Sequence, residues 1–283
     1  MNFNHIAILG PGLLGASIAM NLKRQNLQQG RRFSISIWAR NPTSLIRANE
    51  LGFCDFSSTT LKPVVEKADL IIICTPVVSI KEYFIAIKDF LKPSAIVTDV
   101  GSTKDSIVKF ISSDPRGAQY IGSHPMAGSE NSGMEFARED LFENHPCMIT
   151  PTTKNDPDAI NQLVAFWESL GMCVTQTSSV EHDKIVARVS HVPHAVAVAL
   201  CRQFILDPTA LAMSSTGFQD TSRIAGGNPS LWLDIFRENR TAVLNALQTF
   251  QQELDQFHEL LEQKSWNRLE AYLREGKEIR DSL

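Results

Sequence analysis

The sequence predicts an α/β domain built on a doubly wound sheet over residues 1–178, followed by an all-α domain over residues 179–283. Three observations carry this reading. Short, nearly continuous apolar runs recur in the first part, as in "HIAIL" (5–9), "ADLIIICTP" (68–76) and "AIVTDVG" (95–101). Strands this apolar, separated by helix-forming stretches, fit a parallel sheet covered on both faces. A glycine-rich turn, "LGPGLLG" (9–15), joins the first run to a helix-forming segment. Past Ser178 the strand-like runs stop and long amphipathic stretches replace them.

In chain order, "HIAIL" is a strand ending at Gly10, and a helix is predicted from Leu13 to about Gln25. "FSISIW" (33–38) alternates as a second strand, and helix-forming residues follow from Pro42 to Leu51. The apolar strand at 68–76 stops at Pro76, and 95–101 repeats that plan before a helix at 104–113. "QYIGSHP" (119–125) leads into a polar loop, "GSHPMAGSE" (122–130). A strand at 146–151, a helix at 157–170 and a strand at 172–177 complete the first domain. In the second, residues 180–204 are amphipathic with Pro193 inside, and 209–227 read as a loop or short helices. Asn228 offers an N-cap with Pro229 at the first helical position. One helix is predicted from there to about Gln263, with Trp232, Phe236, Val243 and Leu247 near one face, and a last helix at 265–280. So broad an apolar stripe suits either a partner subunit or packing within the chain.

Composition excludes several classes. At 43% hydrophobic and 20% charged residues the chain can build a large core, and a net charge of −4 gives no pull toward nucleic acid. Five cysteines, none at CxxC spacing, argue against a disulfide framework or a zinc site, so no metal is expected. No basic segment leads into an apolar one at the N-terminus, and no apolar run nears the roughly 20 residues that span a bilayer. A cytoplasmic protein without nucleic-acid or membrane partners is expected.

Gly10, Gly12 and Gly15 form G-x-G-x-x-G in the required context, after a strand and opening a helix through Leu13 and Leu14. The spacing fits a Rossmann-type dinucleotide site: a tight turn, close approach to a pyrophosphate, and close helix–strand packing. The second strand ends in "WARNP", with Ala39 and Arg40 where an NAD enzyme usually carries a carboxylate for the ribose 2′-OH. Without that carboxylate, and with Arg40 able to pair with a 2′-phosphate, NADP is preferred over NAD. Thr75, Pro76, Gly101 and Ser102 follow strand ends, where such a sheet opens its ligand crevice. His124, in the polar loop, is placed to take a proton from a substrate hydroxyl as hydride leaves the same carbon.

Several further segments sharpen this. With "ILGPGLLGASIA", "IIICTPV", "TDVGSTK", "IGSHPMAGSENSG", "VSHVPHAVA" and "DTSRIAGGNPSLWLDI" in this order, the chain resembles the prephenate/arogenate (cyclohexadienyl) dehydrogenases of tyrosine biosynthesis over essentially its whole length. The resemblance implies a Rossmann domain, a helical dimerisation domain that makes a homodimer, and oxidative decarboxylation of prephenate or arogenate. It implies His124 as base at the substrate 4-hydroxyl, Ser102 as its companion, and Arg223 as the ligand of a substrate carboxylate, for which a planar fork is suited. Asp220 lies one helical turn before Arg223 and can hold it. Ser129 and Glu130 are implied near the substrate side chain and entrance. His191 and His194 are three apart and share a helix face, where Pro193 can kink the helix and free a carbonyl; His191 is the one that resembles a substrate-pocket residue. Two rivals are a 3-hydroxyacid dehydrogenase, which would need a lysine such as Lys184 in the helical domain, and a non-catalytic NADP(H) sensor.

Overall fold

The computed structural model describes residues 3–30, 33–128 and 133–282. The strands and helices follow in the order β1 (His5–Leu9), α1 (Leu13–Gln29), β2 (Ser34–Trp38), α2 (Pro42–Glu50), β3 (Phe56–Ser58), α3 (Leu61–Val65) and β4 (Leu70–Ile73). Next come α4 (Ile80–Ile87), β5 (Ile96–Asp99), α5 (Asp105–Ser112), β6 (Gly122–Pro125), β7 (Pro146–Thr150), α6 (Pro157–Ser169) and β8 (Cys173–Gln176). The helical part holds α7 (Ser179–Val186), α8 (Val192–Arg202), α9 (Pro208–Ala212), α10 (Thr216–Ser222), α11 (Pro229–Glu238), α12 (Arg240–Glu262) and α13 (Trp266–Asp281).

Five strands form a parallel sheet in the order β3-β2-β1-β4-β5, so the chain reverses its winding between β1 and β4. The alternation of the strands sorts their side chains onto two faces. Ile6, Ile8, Ile35 and Ile37 enter one buried cluster; Ala7, Leu9, Ile71 and Ile73 enter the other. A run apolar on both faces is what a sheet covered by helices on both sides requires. The three residues of β3 ("FSS"), two of them polar, carry no such pattern, and this edge strand escaped the sequence reading.

Several features differ from expectation. The last strands do not extend the parallel sheet but form a second sheet, β6-β7-β8, in which β6 runs antiparallel to β7. His124 therefore lies in a strand, opposite Met148, rather than in a loop. The helix expected from Pro229 to Gln263 is two helices, broken at Asn239, whose backbone (φ −109°, ψ 26°) leaves the helical region. Asn239 is buried and its amide serves other segments, so tertiary hydrogen bonds outweigh local helix propensity. Finally, Pro193 is absorbed by a π-turn at Ala187–His191, with Val192 N–H donating to the Ala187 carbonyl, and falls within the first turn of α8. There its missing N–H costs little. Ser179–Ile205 is a continuous helical stretch long and apolar enough, by length and composition, to cross a membrane, contrary to the sequence reading; here it packs on α5, α11's neighbour α12 and the Arg223 turn.

Candidate active site

A cavity of about 650 Å³ opens where the carboxyl ends of β1, β4 and β5 meet the helical part. This is the winding reversal, where open α/β sheets bind ligands. Gly12, Leu13 and Leu14, then Thr75 and Pro76, then Gly101 and Ser102 line its sheet side. His124 lines it, and His191, Arg223 and Trp232 line it from the helical side.

The glycine turn is built as its spacing predicts. Gly10 has φ +106°, and a Cβ there would sit 2.8 Å from the Cys74 carbonyl oxygen. A Cβ on Gly15 would sit 2.1 Å from the Gly10 carbonyl oxygen, so α1 can approach the turn only with glycine here. Gly12 is the N-cap of α1, no side chain caps it, and the space over it is open. Uncapped N–H groups at a helix N-terminus facing an open crevice suit a pyrophosphate. At the end of β2, Ala39 is buried and Arg40 exposed, both off the cavity wall, while Asn41 caps α2 by accepting the Thr43 N–H at 3.0 Å.

His124 is the end of a relay. Its Nδ1 lies 2.9 Å from Nε2 of His182, whose Nδ1 lies 2.8 Å from Oδ1 of Asp183. The Asp183 carboxylate also accepts the backbone N–H groups of Lys104 (2.8 Å) and Asp105 (3.0 Å) at the start of α5. A carboxylate at the end of the chain fixes each proton in turn: His182 donates from Nδ1, so its Nε2 accepts, so His124 donates from Nδ1. The His124 Nε2 is left with a lone pair. Burial, first, and then the neighbouring His182, Lys104 and His191 hold the His124 imidazole well below its ordinary value of 6.5. It is thus a neutral base at physiological pH. The reading from sequence missed His182 and Asp183, which it placed only within an amphipathic stretch, 180–204.

Beneath the base lies a buried ion pair. Lys104 Nζ contacts Oδ2 of Asp99, and both side chains are fully buried. Asp99 also accepts from Tyr120 Oη (2.8 Å) and from the backbone N–H groups of Ser123 (3.1 Å) and Gly101 (2.9 Å). Ser123 is locked in turn by Thr98 Oγ1 (2.7 Å) and by the Trp167 indole, which donates at 3.0 Å. This network sets the position of the strand that carries His124. Lys104→Met leaves Asp99 charged and buried without its cation, and a loss of about 3–5 kcal/mol in folding stability is expected in chemical denaturation. A loss under about 1 kcal/mol would mean that the pair is dispensable.

On the helical side, His191 is buried and lines the cavity, and its imidazole is lowered to about 4, chiefly by burial. Its companion His194 lies off the wall. It stacks on Trp232 (centroids 3.6 Å apart, planes 8° apart) and bonds the Ile224 carbonyl, so it supports the Arg223 turn from behind. Arg223 begins a 3-10 turn (Arg223–Gly226) and lines the cavity. Asp220 is exposed on α10, off the wall, and makes no ion pair among the described residues. Ser129 and Glu130 lie outside the described residues, between Gly128 and Gly133, which both line the cavity. Lys184 is exposed and pairs with Glu181 at 3.3 Å, away from the site. Trp232, read from sequence only as part of an apolar stripe, is a cavity wall.

Comparison with known proteins agrees with this geometry. Residues 18–176 match the family model described as prephenate dehydrogenase, nucleotide-binding domain, and residues 178–275 match its dimerization domain. The chain is 32% identical to a prephenate dehydrogenase of Bacillus subtilis, covering 98% of this chain and 76% of that one. It is 30% identical to a cyclohexadienyl dehydrogenase of Zymomonas mobilis, covering 99% and 96%. The structure of prephenate dehydrogenase from A. aeolicus, in complex with hydroxyphenyl propionate and NAD+, superimposes with a TM-score of 0.92 at 32% identity, covering 99% and 98%. An arogenate dehydrogenase from Synechocystis superimposes with 0.86 at 33% identity, covering 98% and 99%.

Proposed function

The chain belongs to the prephenate dehydrogenase family of nicotinamide-dependent oxidoreductases, and from that premise we propose how its residues divide the reaction. The substrate is prephenate, which is oxidised and decarboxylated to 4-hydroxyphenylpyruvate. His124 is the base at the 4-hydroxyl, and the observation that carries this is the His124–His182–Asp183 relay that leaves Nε2 as an acceptor at the cavity. Ser102, at the end of β5 on the same wall, holds the hydroxyl with it. Bound in the crevice, the nicotinamide supplies the hydride acceptor. As hydride leaves C4, His124 withdraws the hydroxyl proton, and the electrons of the C1–carboxylate bond complete the aromatic ring as CO₂ departs. The resulting phenolate then regains a proton. Positive charge arising on His124 is spread through His182 toward the Asp183 carboxylate, so the relay stabilises the base once protonated.

Arg223 binds a substrate carboxylate, and His191 adds a hydrogen bond. Arg40, exposed at the end of β2 next to the buried Ala39 and with no acidic residue beside it, supports NADP over NAD; Gly12, Leu13, Leu14, Thr75, Pro76 and Gly101 line the cofactor crevice, and Gly10 and Gly15 shape the turn beneath it. Residues 1–178 act as the cofactor domain and 179–283 as the substrate and dimerisation domain. The exposed apolar side chains of the helical part, Leu233, Leu244, Leu254 and Trp266 among them, support a homodimer.

Steady-state kinetics with prephenate and arogenate, each with NADP and NAD, tests the assignment. Prephenate with NADP should give the highest kcat/KM, and Arg40→Ala should raise the KM for NADP while sparing NAD. A preference for arogenate, or an Arg40→Ala effect equal on both cofactors, would reverse the corresponding part. The pH profile has a definite sign. The lowered value of His124 keeps it unprotonated as pH falls through 6.5, so the acid limb of kcat/KM should lie below the ordinary imidazole range. An acid limb at or above 6.5 would remove His124 as the group that must be neutral.

A further inference from the structure

We infer that Asn239 is a positioning residue that holds His191 in its Nε2–H tautomer, so that a neutral imidazole presents a donor, and no acceptor, to an oxygen of the substrate. The inference rests on reading the cavity as the site of the cyclohexadienyl acid.

The argument begins at the break between α11 and α12. Asn239 leaves the helical region there and is buried, with 4% of its surface exposed. Its Nδ2 lies 2.7 Å from the Asp183 carbonyl oxygen and 3.2 Å from Nδ1 of His191. The orientation of the amide follows from the first contact. Turned over, it would set oxygen against oxygen at the same separation, which is repulsive. The nitrogen therefore faces the carbonyl and gives it one hydrogen. The second amide hydrogen points at His191 Nδ1, which must then carry a lone pair. A neutral imidazole has one N–H, so the proton is on Nε2.

That Nε2 is buried and has no hydrogen-bond partner among the described residues, and His191, 1% exposed, lines the cavity. Buried donors without partners are rare and costly. An oxygen of the ligand is the partner that satisfies this one. The Trp232 indole packs edge-on against the ring, with centroids 6.0 Å apart.

His124 and His191 thus face one cavity with opposite polarity, acceptor and donor. Both assignments trace to Asp183. Its carboxylate fixes the relay to His124, and its backbone carbonyl fixes Asn239 and through it His191. An uncharged donor gives its hydrogen to a carbonyl or carboxylate oxygen and offers nothing to an ammonium, so Asn239 contributes to choosing the keto acid.

The test is ¹⁵N-histidine NMR on the full-length, substrate-free protein, with the His191 signals assigned by their loss in His191→Gln. A pyridine-like Nδ1 and a pyrrole-like Nε2 at neutral pH are expected. The reverse pattern, or an imidazolium, overturns the proposal with no variant needed at Asn239. Asn239→Asp places an acceptor at Nδ1, and the tautomer should reverse, with the KM for prephenate rising about tenfold or more and kcat changing far less. Asn239→Ala serves if the aspartate does not fold, and should give mixed tautomers with a smaller rise in KM. Unchanged His191 signals and an unchanged KM in a folded variant overturn it. If the chain were to prefer arogenate, the NMR result would stand while the kinetic assignment failed, so the two failures are distinguishable.

Discussion

His124→Asn is expected to lower kcat by about 10²–10⁴-fold, the range that a positioned general base contributes. This corresponds to about 3–5 kcal/mol of transition-state stabilisation. The substitution is chosen because the relay shows what asparagine keeps and what it loses. Its amide can still donate toward Nε2 of His182, which His124 reaches at 2.9 Å, so the strand and the neighbouring imidazole stay in place. It cannot take a proton. Binding of the dinucleotide depends on the glycine turn and the start of α1, so cofactor affinity should remain within a few-fold. The kcat loss is read in steady-state assays at saturating prephenate, beside a fluorescence titration of the cofactor. Unchanged turnover would sink the assignment of His124. Lost cofactor binding together with lost turnover would mean that the variant disturbs the fold instead.

What could be read from sequence follows from where the determining interactions lie. Gly10, Gly12 and Gly15 were legible because their requirement is local: a positive φ and a close approach within a few residues of one another. The five-stranded sheet was legible because burial on both faces leaves a continuous apolar run, as in Leu70–Ile73. The short edge strand Phe56–Ser58 lacked that signal. The site was legible in part. His124 and Arg223 stand in distinctive motifs, but the residues that set the chemistry of His124 come from 58 positions along the chain, in "VEHDKIV". No periodicity in that segment marks His182 as facing a cavity. The break at Asn239 was hidden for the same reason. A helix from Pro229 to Gln263 satisfies every local rule, and only the carbonyl of Asp183, 56 positions away, explains why the chain departs from it. Asp220 and His194 show how spacing alone places a side chain only loosely. Spacing put them beside Arg223 and His191, but one faces solvent and the other lies behind Trp232.

Arg223→Ala should raise the KM for prephenate at least roughly 30-fold, because removing one partner of a desolvated charge pair costs about 2–5 kcal/mol. The effect should fall mainly on KM, since the carboxylate that Arg223 holds is charged in both substrate and transition state; interactions equal in the two states set binding rather than turnover. The more discriminating variant is Arg223→Lys. If charge alone mattered, lysine would restore most of the affinity. The turn Arg223–Gly226 is held in one place by His194, which stacks on Trp232 and bonds the Ile224 carbonyl, so the guanidinium is presented from a fixed base. A rigid base favours a planar fork that meets both carboxylate oxygens, and a point charge on a flexible stem cannot reproduce it. Lysine should therefore recover only a small part of the loss. His194→Leu should weaken prephenate binding in the same direction and to a lesser degree, with wild-type cofactor affinity, because it loosens the turn without removing the cation. An unaltered KM in Arg223→Ala would take this arginine out of the substrate site, and full recovery in Arg223→Lys would reduce its role to charge.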